Sequence, residues 1–238
     1  MRSVFSKENL PRLLLILVTA AAITVTGILF RQSPLRVLPL YVSLVVGALQ
    51  SRANRYASLI GGINSILYAF VYLYLGLYAS AGYALLFSCP IQLVTFILWS
   101  RRKYGQSTRF RKMSVRLRVG VSAAFAAVFA GLYFVLRAVG SDYGVLDSLT
   151  SLLGILISIL TMLAFIEYTW LMFPSGLIGI ALHIATMKTY PEQITYVIFS
   201  VYSLICVTVQ FFRVRKLYAQ QQKENDPPTA ETETEERI

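Results

Sequence analysis

Long apolar segments recur along almost the whole chain, and they limit what it can fold into more than any other feature. Eight such segments can be recognised in the 238 residues, separated by short polar or basic connections. Each is near the ~20 residues that a helix needs to cross a bilayer. Since backbone groups in lipid must be satisfied internally, helices are expected, and the pattern predicts an all-α polytopic membrane protein. The predicted spans are 11–30, 35–51, 57–78, 80–100, 118–139, 146–165, 168–187 and 192–212.

Composition supports the same class. Hydrophobic residues make up 56% of the chain and charged residues 14%, which is too apolar for the single core of a soluble domain. The net charge of +11 would suggest nucleic acid in a soluble protein. Here the basic residues stand at the ends of apolar segments, so orientation in the lipid bilayer explains them and no nucleic-acid partner is expected.

The basic residues also predict the topology. With eight spans, 18 of the 22 Lys and Arg residues fall on the side that holds both termini. The other side receives only Arg31, Arg36, Arg137 and Lys188. The positive-inside rule therefore predicts a multi-pass protein with both termini in the cytoplasm. The first apolar segment lacks a clear cleavage site and is followed at once by another, so it is expected to be retained as a helix.

An internal repeat divides the chain. Residues 55–103 and 167–215 are weak copies at a constant offset of 112, with Tyr56 matching Tyr168 and Ile66 matching Ile178. Parallel repeats are typical of small-solute transporters. Because three spans per copy would invert the second copy, one linker helix is needed between them. The predicted organisation is an N-terminus and extra helix (1–34), a first three-helix repeat (35–103), a basic loop and linker helix (104–145), a second repeat (146–216) and a disordered cytoplasmic tail (217–238).

Several kinds of chemistry leave no signature in the sequence. There is no phosphate-cradling Gly-rich motif, one histidine, and two cysteines without metal-ligand spacing, so neither a cofactor nor a metal is expected. No nucleophile–base pair suggests an enzyme. Carboxylates are nearly absent from the spans, which favours uncoupled, facilitated diffusion. A lipid-modifying membrane enzyme and a non-transporting scaffold or sensor remain the alternatives from other classes.

Polar residues inside the spans are the candidates for a binding site. Asn64 and Tyr68 lie one helical turn apart on the same face of the third span. Gln92 follows Pro90, which should kink the fourth span and could open a cavity beside the amide. The alternative for all three side chains is hydrogen bonding between helices. His183, inside the seventh span, either bonds a neighbouring helix or takes part in proton or substrate binding.

The residues around these positions resemble the PnuC family of bacterial vitamin transporters. The resemblance rests on residues 61–72, 75–79 and 90–99, and more loosely on 146–150 and 170–173. It implies two three-helix bundles joined by a linker helix, a homotrimer in the bacterial cytoplasmic membrane, and import of nicotinamide riboside. Thiamine and riboflavin are carried by some relatives. It also implies that a separate kinase traps the cargo by phosphorylation.

The resemblance further implies a set of substrate-binding residues. In the family the second half usually carries Trp-x-x-Trp, where this chain has Trp170 and Phe173, and a polar residue one turn later is replaced by Leu177. An aromatic face attracts a cationic ring by about 0.5–2 kcal/mol, which suits the pyridinium of nicotinamide riboside and equally the ring of thiamine. The alternative for Trp170 is a place in the aromatic belt at the membrane interface. The predicted substrate-binding residues are Asn64, Tyr68, Gln92, Thr150, Trp170 and Phe173.

Overall fold

The computed structural model describes residues 10–74, 84–138, 144–188 and 191–225. These ranges contain eight α-helices, which confirms the predicted helical fold. A π-helical turn, Ala84–Ser88, leads into the fourth helix, and a 3₁₀ turn, Pro191–Gln193, leads into the eighth. The helices are α1 (Leu10–Leu29), α2 (Pro34–Gln50), α3 (Tyr56–Tyr74), α4 (Cys89–Arg101), α5 (Val115–Ala138), α6 (Gly144–Met162), α7 (Tyr168–Met187) and α8 (Ile194–Asn225).

The helices have the length and surface of membrane spans. Four helical segments are long and apolar enough to cross a bilayer, and three further apolar helices are shorter. Large apolar side chains such as Leu14, Val18, Phe134 and Phe212 point outward, as expected where lipid replaces water. The four long segments are Leu10–Leu29, Ala84–Arg101, Tyr168–Ala185 and Pro191–Glu224, and the three shorter ones are Pro34–Gln50, Tyr56–Val71 and Leu152–Met162.

The helices pack as two groups of three. In the first bundle α3 packs against both α2 and α4, and in the second α7 packs against both α6 and α8. The bundles meet where α2 contacts α8 and where α4 contacts α6. Helix α1 lies against α2 and α8, and the linker helix α5 lies against α6. These contacts form two groups of three helices, while the division of the chain into two parallel repeats stays a prediction.

One turn in each bundle has the same backbone geometry. The offset between these two turns differs by one residue from the offset predicted between the repeats. Ala53 and Ala164 are buried and adopt positive φ angles of 51° and 58°. The residue after each alanine donates its backbone N–H to the carbonyl five positions earlier, at 3.1 Å for Asn54 and 3.0 Å for Phe165. These positions are 111 residues apart, not 112. Two apolar helices share many identical residues by chance at any offset. Matching the sequences alone therefore gave an offset that differs by one residue from that of the turns.

The segment after α4, residues 102–114, lies across one end of both bundles, and we call it the strap. It begins with a hairpin of two short strands, β1 (Lys103–Tyr104) and β2 (Ser107–Thr108), which interrupts the predicted all-α pattern. The carbonyl of Gln106 accepts the backbone N–H of Arg55 from the first bundle at 3.0 Å. Arg111 pairs with the second bundle, donating to Ala164 and accepting from Ile166, both at 3.0 Å.

Helix α8 extends into the segment predicted to be disordered. It continues to Asn225, so residues 217–225 are helical, and residues 226–238 lie outside the described ranges. The buried side-chain amide of Gln221 explains this extension, because both its oxygen and its nitrogen form hydrogen bonds with the strap. Its Oε1 accepts the N–H of Phe110 at 2.9 Å, and its Nε2 donates to the carbonyl of Thr108 at 3.0 Å.

Candidate solute site

A chamber of about 330 Å³ lies between the two bundles. Its walls come from α2, α3 and α4 on one side and from α6, α7 and α8 on the other. Three of the six residues predicted from the sequence, Asn64, Tyr68 and Gln92, line it. The folding of the bundles thus brings polar side chains from distant parts of the chain to one central space.

Asn64 presents an unpaired acceptor at this chamber. Its side chain is 5% exposed, and its Nδ2 donates to Ser43 Oγ on α2 at 2.8 Å. Its Oδ1 is buried and has no hydrogen-bond partner within the described part of the chain. Since an unpaired buried acceptor costs about 1–3 kcal/mol, a ligand that donates to this oxygen would be favoured.

Gln92 is held by a cluster of hydroxyl groups on the first bundle. Its Nε2 donates to Ser65 Oγ at 3.1 Å and to Ser88 Oγ at 3.4 Å, and the two serines bond each other at 2.8 Å. The amide lies directly against Gly61, where any side chain would overlap Gln92 Oε1. Glycine therefore leaves room for the amide at the chamber wall, and a larger residue would displace the end of the Gln92 side chain.

Among the lining residues that were not predicted as site residues, Trp99, Tyr168 and Gln210 make hydrogen bonds at the chamber wall. Trp99 is buried, and its indole N–H donates to the carbonyl of Thr161 at 2.8 Å, joining the two bundles. Tyr168 is fully buried and accepts a hydrogen bond from Gln210 Nε2 at 2.9 Å. Trp99 and Tyr168 both stood in the repeat alignment, and Gln210 is an amide within an apolar run. Those signals were available in the sequence.

The lining corresponds between the halves in the same register as the turns. Val46 and Ile157, Gln50 and Thr161, Ala57 and Tyr168, Gly61 and Met172, and Trp99 and Gln210 all line the chamber, and the members of each pair are 111 residues apart. Equivalent positions of the two halves therefore line the same central space. This arrangement agrees with a substrate site formed between repeats.

No charged residue is found among the described residues that line the chamber. The described ranges also contain no group of three His, Cys, Asp or Glu side chains that could hold a metal. A buried phosphate needs a cationic partner, so this lining suits hydroxyl and amide groups or a delocalised cation beside an aromatic ring.

The strap packs against several residues that line the chamber. Phe110 and Met113 of the strap are buried in one hydrophobic cluster with Ala53, Trp99 and Tyr168, which themselves line the chamber. The Phe110 and Trp99 rings meet edge to face with their centroids 5.7 Å apart. The strap therefore packs against chamber-lining residues, and it is itself rich in arginine and lysine.

The structure places Trp170 and Phe173 away from the chamber. They are 57% and 45% exposed on the outer face of α7, and neither lines the central space. The Arg215 guanidinium already lies over the face of the Trp170 ring, 4.4 Å from the ring centroid. Phe211 packs edge-on against the same indole at 4.8 Å. The cation beside this ring is thus the protein's own arginine, and the predicted contact of Trp170 with a cationic cargo stays a prediction.

Thr150 and His183 also lie outside the lining. Thr150 is half-buried on α6 and is not among the residues that line the chamber. His183 is stacked on Tyr196 of α8, with ring centroids 5.7 Å apart and planes inclined by 23°. That contact agrees with the structural alternative for the histidine, a packing partner between neighbouring helices.

Two bundles of apolar helices around a solute-sized polar chamber define a class, the multi-pass carriers built from two bundles. The chain belongs to the nicotinamide mononucleotide transporter family, whose model matches residues 33–210. It is therefore a transporter-family protein and not an enzyme. A solved structure described as "Crystal structure of the Vitamin B3 transporter PnuC" shares its fold, with a TM-score of 0.71, 20% identity, and coverage of 88% of this chain and 92% of that one. None of the curated proteins matches the chain in sequence.

Proposed function

We propose that the protein carries a small vitamin precursor across the cytoplasmic membrane by facilitated diffusion, with nicotinamide riboside as the first candidate and thiamine as the second. The single observation that carries the proposal is the uncharged polar chamber between the two bundles. The description of the family names a mononucleotide, which carries a phosphate group. A lining without cations favours the nucleoside over its phosphate, because a buried phosphate would lack a charged partner.

The chamber offers matching chemistry for such a cargo. Its volume of about 330 Å³ lies within the range of small-molecule sites. Asn64, Gln92 and Tyr68 supply amide and hydroxyl groups for a ribose, and Trp99 and Tyr168 bring aromatic rings to the wall. An aromatic face stabilises a cationic ring. The substrate-binding roles of Trp170, Phe173 and Thr150 stay predictions.

Transport would follow from rocking of the two bundles around a fixed site. Their contacts run along α2 with α8 and α4 with α6, so movement along these seams would open the chamber to one side at a time. The described lining holds no carboxylate or histidine to bind a coupling proton. Such a carrier only equilibrates its cargo, and net uptake would come from phosphorylation by a separate cytoplasmic kinase.

We also propose the orientation and the assembly. The strap is rich in arginine and lysine, and it shares its end of the molecule with the turn at Arg55 and with the C-terminal part of α8. By the positive-inside rule this end faces the cytoplasm of a bacterial cell, together with both termini. The family resemblance supports a homotrimer.

Uptake into proteoliposomes tests the proposed transport. We expect saturable entry of radiolabelled nicotinamide riboside that stops at equal internal and external concentrations and is unchanged when sodium or proton gradients are collapsed. Nicotinamide mononucleotide should enter at background rate, because its phosphate finds no cation in the chamber. Accumulation above the external concentration, or equal transport of the mononucleotide, would contradict the proposal. Truncation after Asn225 should leave uptake intact, whereas a scaffold acting through its tail would lose function.

Two tryptophan variants separate the chamber from the outer face of α7. Trp99→Phe removes the N–H bond to Thr161 at the chamber wall, and we expect it to weaken nicotinamide riboside binding about tenfold. Trp170→Ala removes an exposed ring beside Arg215, and we expect an affinity within about twofold of the unmodified protein. Calorimetry on purified protein measures both. The opposite order would support the stacking role predicted for Trp170.

A further inference from the structure

We propose that Gln210 of α8 determines specificity by accepting a hydrogen bond from the cargo, opposite Asn64. This inference rests on the proposed function and deepens it, because it states what the cargo must offer: two N–H or O–H donors, one for each bundle. Both residues line the chamber, and they come from different bundles.

The geometry around Gln210 leaves one of its polar atoms without a hydrogen-bond partner among the described residues. The side chain is 3% exposed, and its Nε2 donates to the hydroxyl oxygen of the fully buried Tyr168 at 2.9 Å. That bond fixes the orientation of the amide. Gln210 Oε1 is buried and has no partner among the residues described. A buried acceptor of this kind is stabilised when a donor reaches it.

The same arrangement occurs on the facing bundle. Asn64 is anchored through its nitrogen to Ser43 and leaves Oδ1 unpaired. Each bundle thus presents one amide oxygen whose nitrogen is already bonded within that bundle. A cargo that donates to both oxygens would be held across the seam along which the bundles rock. A cargo lacking one donor would leave a buried acceptor unpaired, which typically costs about 10- to 100-fold in affinity.

The repeat register explains why this role falls on Gln210. Its counterpart 111 residues earlier is Trp99, which also lines the chamber. The single polar atom of that indole is already bonded to the Thr161 carbonyl. At this pair of equivalent positions the first half therefore supplies a contact between bundles, and the second half supplies a polar atom for the cargo.

Binding of nicotinamide riboside to purified variants tests the assignment. Gln210→Met keeps the size of the side chain and removes the acceptor, so we expect the Kd to rise about 10- to 100-fold. Gln210→Glu retains an acceptor but loses the Nε2 bond to Tyr168 and buries a carboxyl group, so its Kd should rise clearly less than that of Gln210→Met. Gln221→Met is the matched control, because Gln221 is equally buried on the same helix but lies outside the chamber lining. It should lower the melting temperature and leave the Kd within about twofold.

Analogues of the cargo identify the donor that Gln210 reads. The panel contains nicotinic acid riboside, which lacks the carboxamide N–H groups, and the 2′-deoxy and 3′-deoxy ribosides. One analogue should bind the unmodified protein about as weakly as nicotinamide riboside binds Gln210→Met, and the substitution should weaken that analogue by less than about twofold. This pattern is expected only for direct contact.

Three results would overturn the inference and leave the proposed function standing. The first is unchanged affinity in Gln210→Met, and the second is an equal loss of affinity in Gln210→Met and Gln210→Glu. The third is that Gln210→Met weakens the binding of every analogue by the same factor. Failure of the unmodified protein to bind any member of the panel would overturn the proposed function and this inference together.

Discussion

Replacing Gly61 with alanine should remove most binding of the cargo without destabilising the fold. A Cβ at this position would overlap Oε1 of Gln92, so the amide would have to leave the place where it bonds Ser65 and Ser88. The displaced side chain would then occupy part of the chamber. We expect nicotinamide riboside to bind about 100-fold more weakly, since a polar contact is lost and the site is partly filled. Calorimetric titration measures the change.

Two controls make this result specific. Alanine in a helix interior is by itself about 0.5–1 kcal/mol more favourable than glycine, so a drop in affinity without a drop in melting temperature indicates displacement of Gln92. Gly179→Ala on α7 adds the same methyl group to open space and should bind as the unmodified protein does. In the double variant, Gln92→Ala should make the Gly61 substitution silent. Unchanged affinity in Gly61→Ala would show that Gln92 has no part in binding.

The helices and their grouping could be predicted because span length and loop charge are local properties of the sequence. Asn64 and Gln92 were found as polar residues within apolar segments, and both line the chamber. Trp170 was harder to place, because a helix in lipid is apolar on its outer face as well as its inner one. Hydrophobicity therefore does not tell which side of α7 faces the chamber, whereas the structure shows Trp170 outside and Tyr168 inside.

The strap could not have been predicted, because its role depends on contacts between distant segments. In the sequence Phe110 and Met113 stand among arginines and lysines, a pattern typical of a cytoplasmic loop. Gln221 stands in a polar tail that suggests disorder. Only folding shows that the oxygen and the nitrogen of this amide both bond the strap, and that the two apolar residues pack with residues of the chamber wall.

Phe110→Ala should both destabilise the protein and open the chamber on the strap side. Phe110 is buried against Trp99, Tyr168 and Val214, and the loss of such a ring typically costs about 3–5 kcal/mol. Because the ring packs in one cluster with two lining residues, we expect its removal to open the chamber toward the strap, the end proposed to face the cytoplasm. A cysteine at Thr161, in a background with Cys89 and Cys206 replaced by alanine, reports this opening through its reaction with a membrane-impermeant thiol reagent in inside-out vesicles.

We expect Phe110→Ala to raise the labelling rate of that cysteine at least about tenfold, because a closed wall gives way to a water-filled opening. Phe134→Ala is the matched control, since Phe134 is an exposed ring on α5, away from the strap, and its loss should change neither labelling nor stability appreciably. Protection of the cysteine by nicotinamide riboside would place the opening on the path of the cargo. An unchanged labelling rate in a folded Phe110→Ala protein would mean that the strap only stabilises the bundles. The helices themselves would then have to close the chamber at that end during the rocking movement.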